Sequence, residues 1–395
     1  MNRMIFLFIT VTLDMIGVGI IIPSLPDVVR RFILDEKLVS EYFGYFISVY
    51  ALMQFFASPL LGALSDLFGR RSVLLISHFM AAIDYLFMAF APTLPLLFIG
   101  RMISGMTGAS ITVCMAYVAD ISNDKNRSSN FGLLGAAFGL GFIVGPAIGG
   151  VLGSYGPAAP FVAAAVLNLA NFIFGLSVLP ESLPKEKRRK MNLRKLNPFT
   201  SLRLIFNSPL ILSFALIHFL IQLAGLTHPS IWTIYTEHRF HWNTTEVGVS
   251  LTLVGTLMAF SQGWFTRIII PRLGEKKTVL YCVFGNVVAF TLYALVSEGW
   301  MIYWVILFSS LFFVGQPALQ SMATKFVPVE EQGQFQGSLV SLSSLASIIN
   351  PLIVTQLFAH FTDNKGLYLP GAPYLFAALI SGIAGIAILN RTKVF

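Results

Sequence analysis

The sequence predicts an all-α integral membrane protein, with twelve transmembrane helices in two pseudo-symmetric six-helix bundles. Three observations carry that expectation. Only 11% of the 395 residues are charged, against 56% hydrophobic, with 36 Phe and a mean hydropathy of +0.77. A soluble fold of this length needs about a quarter of its residues charged, so soluble domains, disorder, coiled coil and a nucleic-acid-binding surface fail together. Apolar runs of about 20 residues, long enough for a helix to cross the hydrocarbon core with its backbone groups satisfied internally, recur twelve times. A hydrophilic basic linker, 184–207, divides the chain into two halves, 1–183 and 208–395.

In chain order the predicted spans are 4–26, 42–64, 73–92, 94–119, 129–153 and 158–180, then 209–234, 246–269, 278–297, 300–324, 334–361 and 370–390. The first run carries Asp14 and Pro23, exceeds a secretory leader in length and lacks a small-residue cleavage site, so it reads as a span. Spans five and six are joined only by a turn at Gly156 and Pro157, which makes them a tight hairpin. After span six the linker carries Lys185-Glu-Lys-Arg-Arg-Lys190, then Arg194 and Lys195, a composition suited to anionic headgroups. At an offset of 205 residues Gly69 falls on Gly274, Arg71 on Lys276, Gly132 on Gly337 and Pro146 on Pro351, which points to duplication. With both termini cytoplasmic, 20 of the 26 basic residues lie inside and five outside, with Arg101 in a span, so the positive-inside bias sets the orientation. Cys114 and Cys282 both sit in apolar runs and offer no disulfide framework.

Three motifs carry chemistry. The loop after span two reads Gly62-Ala-Leu-Ser65-Asp66-Leu-Phe-Gly69-Arg70-Arg71. Here Asp66 suits a cap for the next helix, Gly69 a tight turn, and Arg70 a reach to Asp120 at the end of span four, with Arg127 close behind. Together they make a latch for a cytoplasmic gate. Span five contains Gly141-Phe-Ile-Val-Gly145-Pro146-Ala-Ile-Gly149-Gly150, where glycines four apart flatten a helix face and Pro146 removes a backbone hydrogen bond. Asp14, Asp84 and Arg101 are ionisable groups inside spans, and each costs about 2.5–3.5 kcal/mol on insertion scales. Two readings stand for them: a buried structural ion pair of Arg101 with Asp14 or Asp84, or a carboxylate that exchanges a proton against solute beside Arg101.

Polar groups at span depth, Gln54, Ser104, His218, Gln222, Gln262, Gln316, Gln320 and Asn350, divide between lining a central substrate cavity and serving helix packing, with Gln262 left out of the substrate-binding set. His228, His238, His241 and Glu237 lie at the outer end of span seven and read as a solvated loop with no metal site.

Two six-span halves in parallel resemble the major facilitator fold. The loop motif is similar to that superfamily's signature, with Leu67 where a basic residue is common, and the span-five string resembles its antiporter motif, which implies export by exchange. Further strings resemble the tetracycline:proton antiporter family: Leu13-Asp14-x-x-Gly-x-Gly with Pro23-x-x-Pro26, Tyr50-Ala-Leu-Met-Gln54, Asp84-Tyr85, Gly100-Arg101, Trp232 to Asn243, Ser297-Glu-Gly-Trp300, Pro317-Ala-Leu-Gln320 and Glu331-Gln-Gly. The resemblance implies roles for Asp14, Gln54, Ser65, Asp66, Arg70, Asp84, Arg101, Asp120 and Arg127. It fails at two places: Asn286 stands where the family has an Asp in span nine, and Met258 where it has a His in span eight. The expectation is therefore a monomeric secondary transporter of the bacterial inner membrane. It exports an amphipathic solute, a tetracycline-like drug or a metabolite such as a secreted chelator, against protons. No enzyme activity, cofactor, metal or nucleic acid enters it. The alternative is a facilitator or importer not coupled to protons through those residues.

Overall fold

The fold was analysed in a computed structural model, which describes residues 3–122, 127–188, 205–206, 208–323, 332–363 and 366–390. Most of the 184–207 linker, and the side chain of Arg127, lie outside the described residues. Among the described residues there is no strand, and twelve helices are long and apolar enough to cross a membrane. They are α1 (Met4–Arg30), α2 (Glu36–Phe68), α3 (Arg70–Ala89), α4 (Leu94–Ile121), α5 (Asn130–Gly153) and α6 (Ala159–Val178), then α7 (Pro209–Phe240), α8 (Thr244–Leu273), α9 (Glu275–Leu295), α10 (Gly299–Met322), α11 (Phe335–Thr362) and α12 (Ala372–Asn390). All twelve expected spans are present, and the chain is an integral membrane protein.

Several helices are interrupted where the sequence supplies a cause. A 3-10 turn at Ile22–Ser24 breaks α1 around Pro23, and α4 breaks at Ala109, just after Gly108. Pro146 lies inside α5 and Pro351 inside α11, each removing an i→i−4 bond. A π-turn at Ser261–Phe265 widens α8, and a 3-10 turn at Ser310–Phe312 tightens α10. The Ser208 hydroxyl accepts from the Leu210 amide at the start of α7, and His241 takes the left-handed conformation at its end.

The α2–α3 and α8–α9 turns have the same backbone device. Gly69 (φ 98°) and Gly274 (φ 75°) both occupy the positive-φ region, with ψ of 149° and 161°. The two positions are those that the 205-residue offset superposes. Only glycine enters this region without strain, which explains why the residue recurs at both places.

Two compact units emerge. Unit 1 comprises 1–32, 49–198 and 243–252; unit 2 comprises 33–48, 199–242 and 253–395. The start of α2 thus belongs to unit 2, and the start of α8 to unit 1. Inside unit 1, Leu7 and Val11 of α1 pack with Leu74 of α3, Val113 and Tyr117 of α4 and Leu134 of α5. Inside unit 2, Phe214 and Ile217 of α7 meet Val279 of α9, Leu319 of α10, Phe335 of α11 and Ala384 of α12. Lipid tails are as apolar as these side chains, so close contact rather than exclusion from water drives such helix association. In unit 2, Lys37 on the first turn of α2 also pairs with Asp363 beyond α11 at 3.0 Å. Both groups are solvent-accessible, so the pair adds little stability.

Candidate functional site

Unit 1 contains a cavity of about 270 Å³ whose walls come from five helices. Asp14 and Met15 of α1, Tyr50 and Gln54 of α2, His78 and Tyr85 of α3, Ser104 and Gly108 of α4, and Phe138 and Phe142 of α5 line it. Asp14 is the carboxylate on this wall, 15% exposed, and its Oδ1 lies 3.6 Å from Nδ1 of His78, which is 2% exposed. The surroundings are apolar or aromatic with a few directed polar groups, the ordinary make-up of a small-molecule site.

Asp84 and Arg101 sit behind that wall. Asp84 is 2% exposed and accepts the Ser104 hydroxyl on Oδ2, while its Oδ1 is buried without a hydrogen-bonding partner. Arg101 lays its guanidinium on the Tyr50 ring, 4.2 Å from the centroid, a cation–π contact. Gly105 and Gly108 make room for Tyr50: a Cβ at either collides with the Tyr50 backbone or hydroxyl. Gln54 donates to the Gly108 carbonyl at 3.1 Å, beside the break in α4. The sequence offers Arg101 as an ionic partner for Asp14; the neighbour found at 3.6 Å is His78. Its visible signal is spacing, because His78, Ala81 and Tyr85 fall on one face of α3 and all three line the cavity.

At the α2–α3 turn the candidate latch is assembled. The Arg70 side chain is almost fully buried. It contacts Asp66 Oδ1 at 2.6 Å, donates from Nε to Asp120 Oδ2 at 3.0 Å, and donates from Nη1 to Ser65 Oγ at 2.5 Å. Asp66, expected to cap α3, is instead spent on Arg70. Glu181, just beyond α6, takes the capping place. Its Oε1 accepts from the amides of Arg70 (2.9 Å) and Arg71 (3.5 Å), and from those of Ser182 and Leu183. A carboxylate there suits the orphan N–H groups and the positive end of the helix dipole. A Cβ on Gly69 would run into the Glu181 carboxylate, so this glycine serves both turn and cap. Charge-assisted bonds of this kind contribute about 1.5–3 kcal/mol each. Arg70→Ala is therefore expected to lower the transport rate about tenfold or more, whereas Glu181→Gln, which keeps one acceptor, costs less. Rates in reconstituted vesicles, normalised to folded protein, check the order; equal losses would show the cap and the latch to be one structure.

The span-five glycines are contact points. Gly145 meets Gly19 and Ile16 of α1, Gly141 meets Met15, Gly149 meets the Ile20 carbonyl, and Gly150 meets Thr244 and Gly248 of α8. Thr245 donates to the Gly150 carbonyl at 3.0 Å and Thr252 to the Ile143 carbonyl at 3.2 Å. Pro146 provides its ring against Gly19, where a side chain would collide.

In unit 2 the uncharged polar groups form a chain. His218 Nε2 is 3.1 Å from Ser343 Oγ, Gln222 donates to the same hydroxyl at 3.1 Å, and Gln316 donates to Gln222 at 2.6 Å. Gln320 stands apart from this chain and donates to Gln336. Asn350 is fully buried and ties α11 to α7, which is interrupted at Leu226, through the Leu223 carbonyl (2.7 Å) and Thr227 (3.1 Å). That geometry is helix bracing. Asn171 does the same in unit 1, donating to the Thr10 carbonyl.

Comparison with known proteins agrees with this architecture. A model of the Major Facilitator Superfamily matches residues 7–351. Tetracycline resistance protein, class C, of Escherichia coli is 41% identical over 358 residues, covering 91% of this chain and 90% of that protein. The class G protein of Vibrio anguillarum is 40% identical over 90% of each chain. Among solved structures, the nucleoside transporter NupG aligns over the whole of both chains with a TM-score of 0.79 at 16% identity, a likeness of fold alone. The chain belongs to the Major Facilitator Superfamily and, within it, groups with the tetracycline resistance proteins.

Proposed function

We propose that the protein exports an amphipathic organic solute, a tetracycline-like drug or a related metabolite, from the cytoplasm across the bacterial inner membrane in exchange for protons. It acts as a monomer, with both termini cytoplasmic. The observation that carries this reading is the Asp14 carboxylate on the wall of the unit 1 cavity. A charge held among apolar and aromatic groups is costly, and its retention there marks a solute or ion path. When the carboxylate is unprotonated it attracts a cationic group of the solute; when protonated it releases it. Proton and solute then compete for one place, which is the requirement for exchange. Arg70 with Asp66 and Asp120 holds the cytoplasmic end in one of two states, and the glycine face of α5 lets α1 and α8 approach closely. Similarity to tetracycline resistance proteins supports both the direction and the chemical class of the solute.

Asn286 and Met258, in place of the acid and the imidazole that the family resemblance places in spans nine and eight, put the coupling burden on unit 1. The experiment uses full-length protein in inside-out vesicles. An imposed acid interior is expected to drive tetracycline uptake, and tetracycline to dissipate the gradient. Uptake that ignores the gradient would replace exchange with facilitated diffusion.

A further inference from the structure

We propose that Asp14 and His78 together form the proton-binding site of unit 1, with the transported proton shared between imidazole and carboxylate. The inference deepens the exchange reading and rests on it. Nδ1 of His78 lies 3.6 Å from Asp14 Oδ1, both residues line the same cavity, and the two come from different helices, α3 and α1. Nε2 of His78 is buried with no hydrogen-bonding partner. His218 Nδ1 and His228 Nε2 are likewise buried without a hydrogen-bonding partner, so what sets His78 apart is the carboxylate that its other nitrogen faces.

The chemistry follows from the charges. With one proton bound, the pair is a carboxylate beside an imidazolium, neutral overall, or a neutral acid beside a neutral ring. With the proton gone, the pair carries one negative charge facing the cavity, and a cationic group can replace the proton. Only N–H and O–H bonds change; the proton comes from water and returns to water. Imidazole is the side chain whose ordinary titration lies between about pH 5 and 8, so it adds a proton acceptor suited to a physiological gradient. The surrounding groups leave that role open. Tyr50 on α2 and Tyr85 on α3 are phenols, Cys114 on α4 is buried, and Asp84 and Arg101 are engaged with Ser104 and Tyr50 behind the wall. From α5 only Phe138 and Phe142 line the cavity, and from α6 the nearby polar groups are the amides Asn168 and Asn171, neither of which titrates.

Two measurements on the full chain test the pair, and one of them needs no transport. In detergent, protein labelled at its six histidines gives imidazole titration curves by NMR; the His78 curve is assigned by its absence from His78→Gln. Asp14→Asn is expected to displace that curve, because it removes the facing carboxylate, while the other five stay put. An unmoved His78 curve overturns the pair. In vesicles, His78→Gln is expected to flatten the dependence of tetracycline flux on pH between about pH 5.5 and 8. A wild-type pH profile in that variant also overturns the proposal. If His78→Gln does not fold, the curve displaced by Asp14→Asn, alone among the six, decides the matter. Wild-type vesicles that move no protons would sink proton exchange itself, whereas the NMR result separates that failure from failure of the pair.

Discussion

Asp14→Asn is expected to reduce proton-linked transport to background while leaving a folded, monodisperse protein. The substitution is isosteric and removes only charge and proton capacity. Asp14 is partly open to the cavity and is held by no hydrogen bond that braces two helices, unlike Asn350 or Asn171. The fold therefore loses little, within about 1 kcal/mol, and gains relief from an expensive intramembrane charge. Transport loses the one carboxylate on the cavity wall. Asp84→Asn provides the contrast. That group is buried off the wall and accepts the Ser104 hydroxyl, so its replacement is expected to lower the amount of folded protein more than the coupling of what folds. Coupled flux of tetracycline and protons per folded molecule measures both. Full coupling in Asp14→Asn, with loss confined to Asp84→Asn, would move the proton site to the buried acid and refute the assignment.

The architecture was legible because a bilayer imposes a length and a polarity on every span, and those quantities can be read residue by residue. The twelve spans, the two turn glycines and the contact face of α5 all have local signatures. The site was legible in part. Asp14, Asp84 and Arg101 stand out as charges in apolar runs, but which partner each takes depends on how helices far apart in sequence are rotated. Arg101 goes to the face of Tyr50, and the glycines beside it make room for that ring, a relation that spacing within α4 alone does not contain. His78 was hidden for a different reason. His78 lies in a span as His218 does, but the role that it takes depends on Asp14, which only the fold sets beside it. Glu181 was hidden because it lies outside any span, and only the approach of the α6 end to the α2–α3 turn makes it a helix cap.

Gly145→Leu is expected to remove most of the folded protein, because α5 carries two kinds of glycine. A Cβ at Gly145 lies 2.7 Å from the Gly19 Cα and 2.9 Å from the Ile16 carbonyl oxygen. Both obstacles are backbone, so no rotamer change can accommodate the added atoms, and α1 must separate from α5. Overpacking a yielding core costs about 1–3 kcal/mol, and a backbone clash exceeds that. Gly139, by contrast, has nothing within 4 Å of the corresponding position, so Gly139→Leu meets open space. The same side chain placed six residues away should therefore leave yield and gel-filtration profile near those of the parent. Pro146 reinforces the distinction, since its Cδ lies 3.0 Å from where a Gly19 side chain would begin. Gly19→Leu is expected to fail as Gly145→Leu does, since it closes the same contact from the α1 side. Should Gly145→Leu accumulate normally and lose only transport, the glycines would be serving movement of α1 against α5 rather than the contact itself.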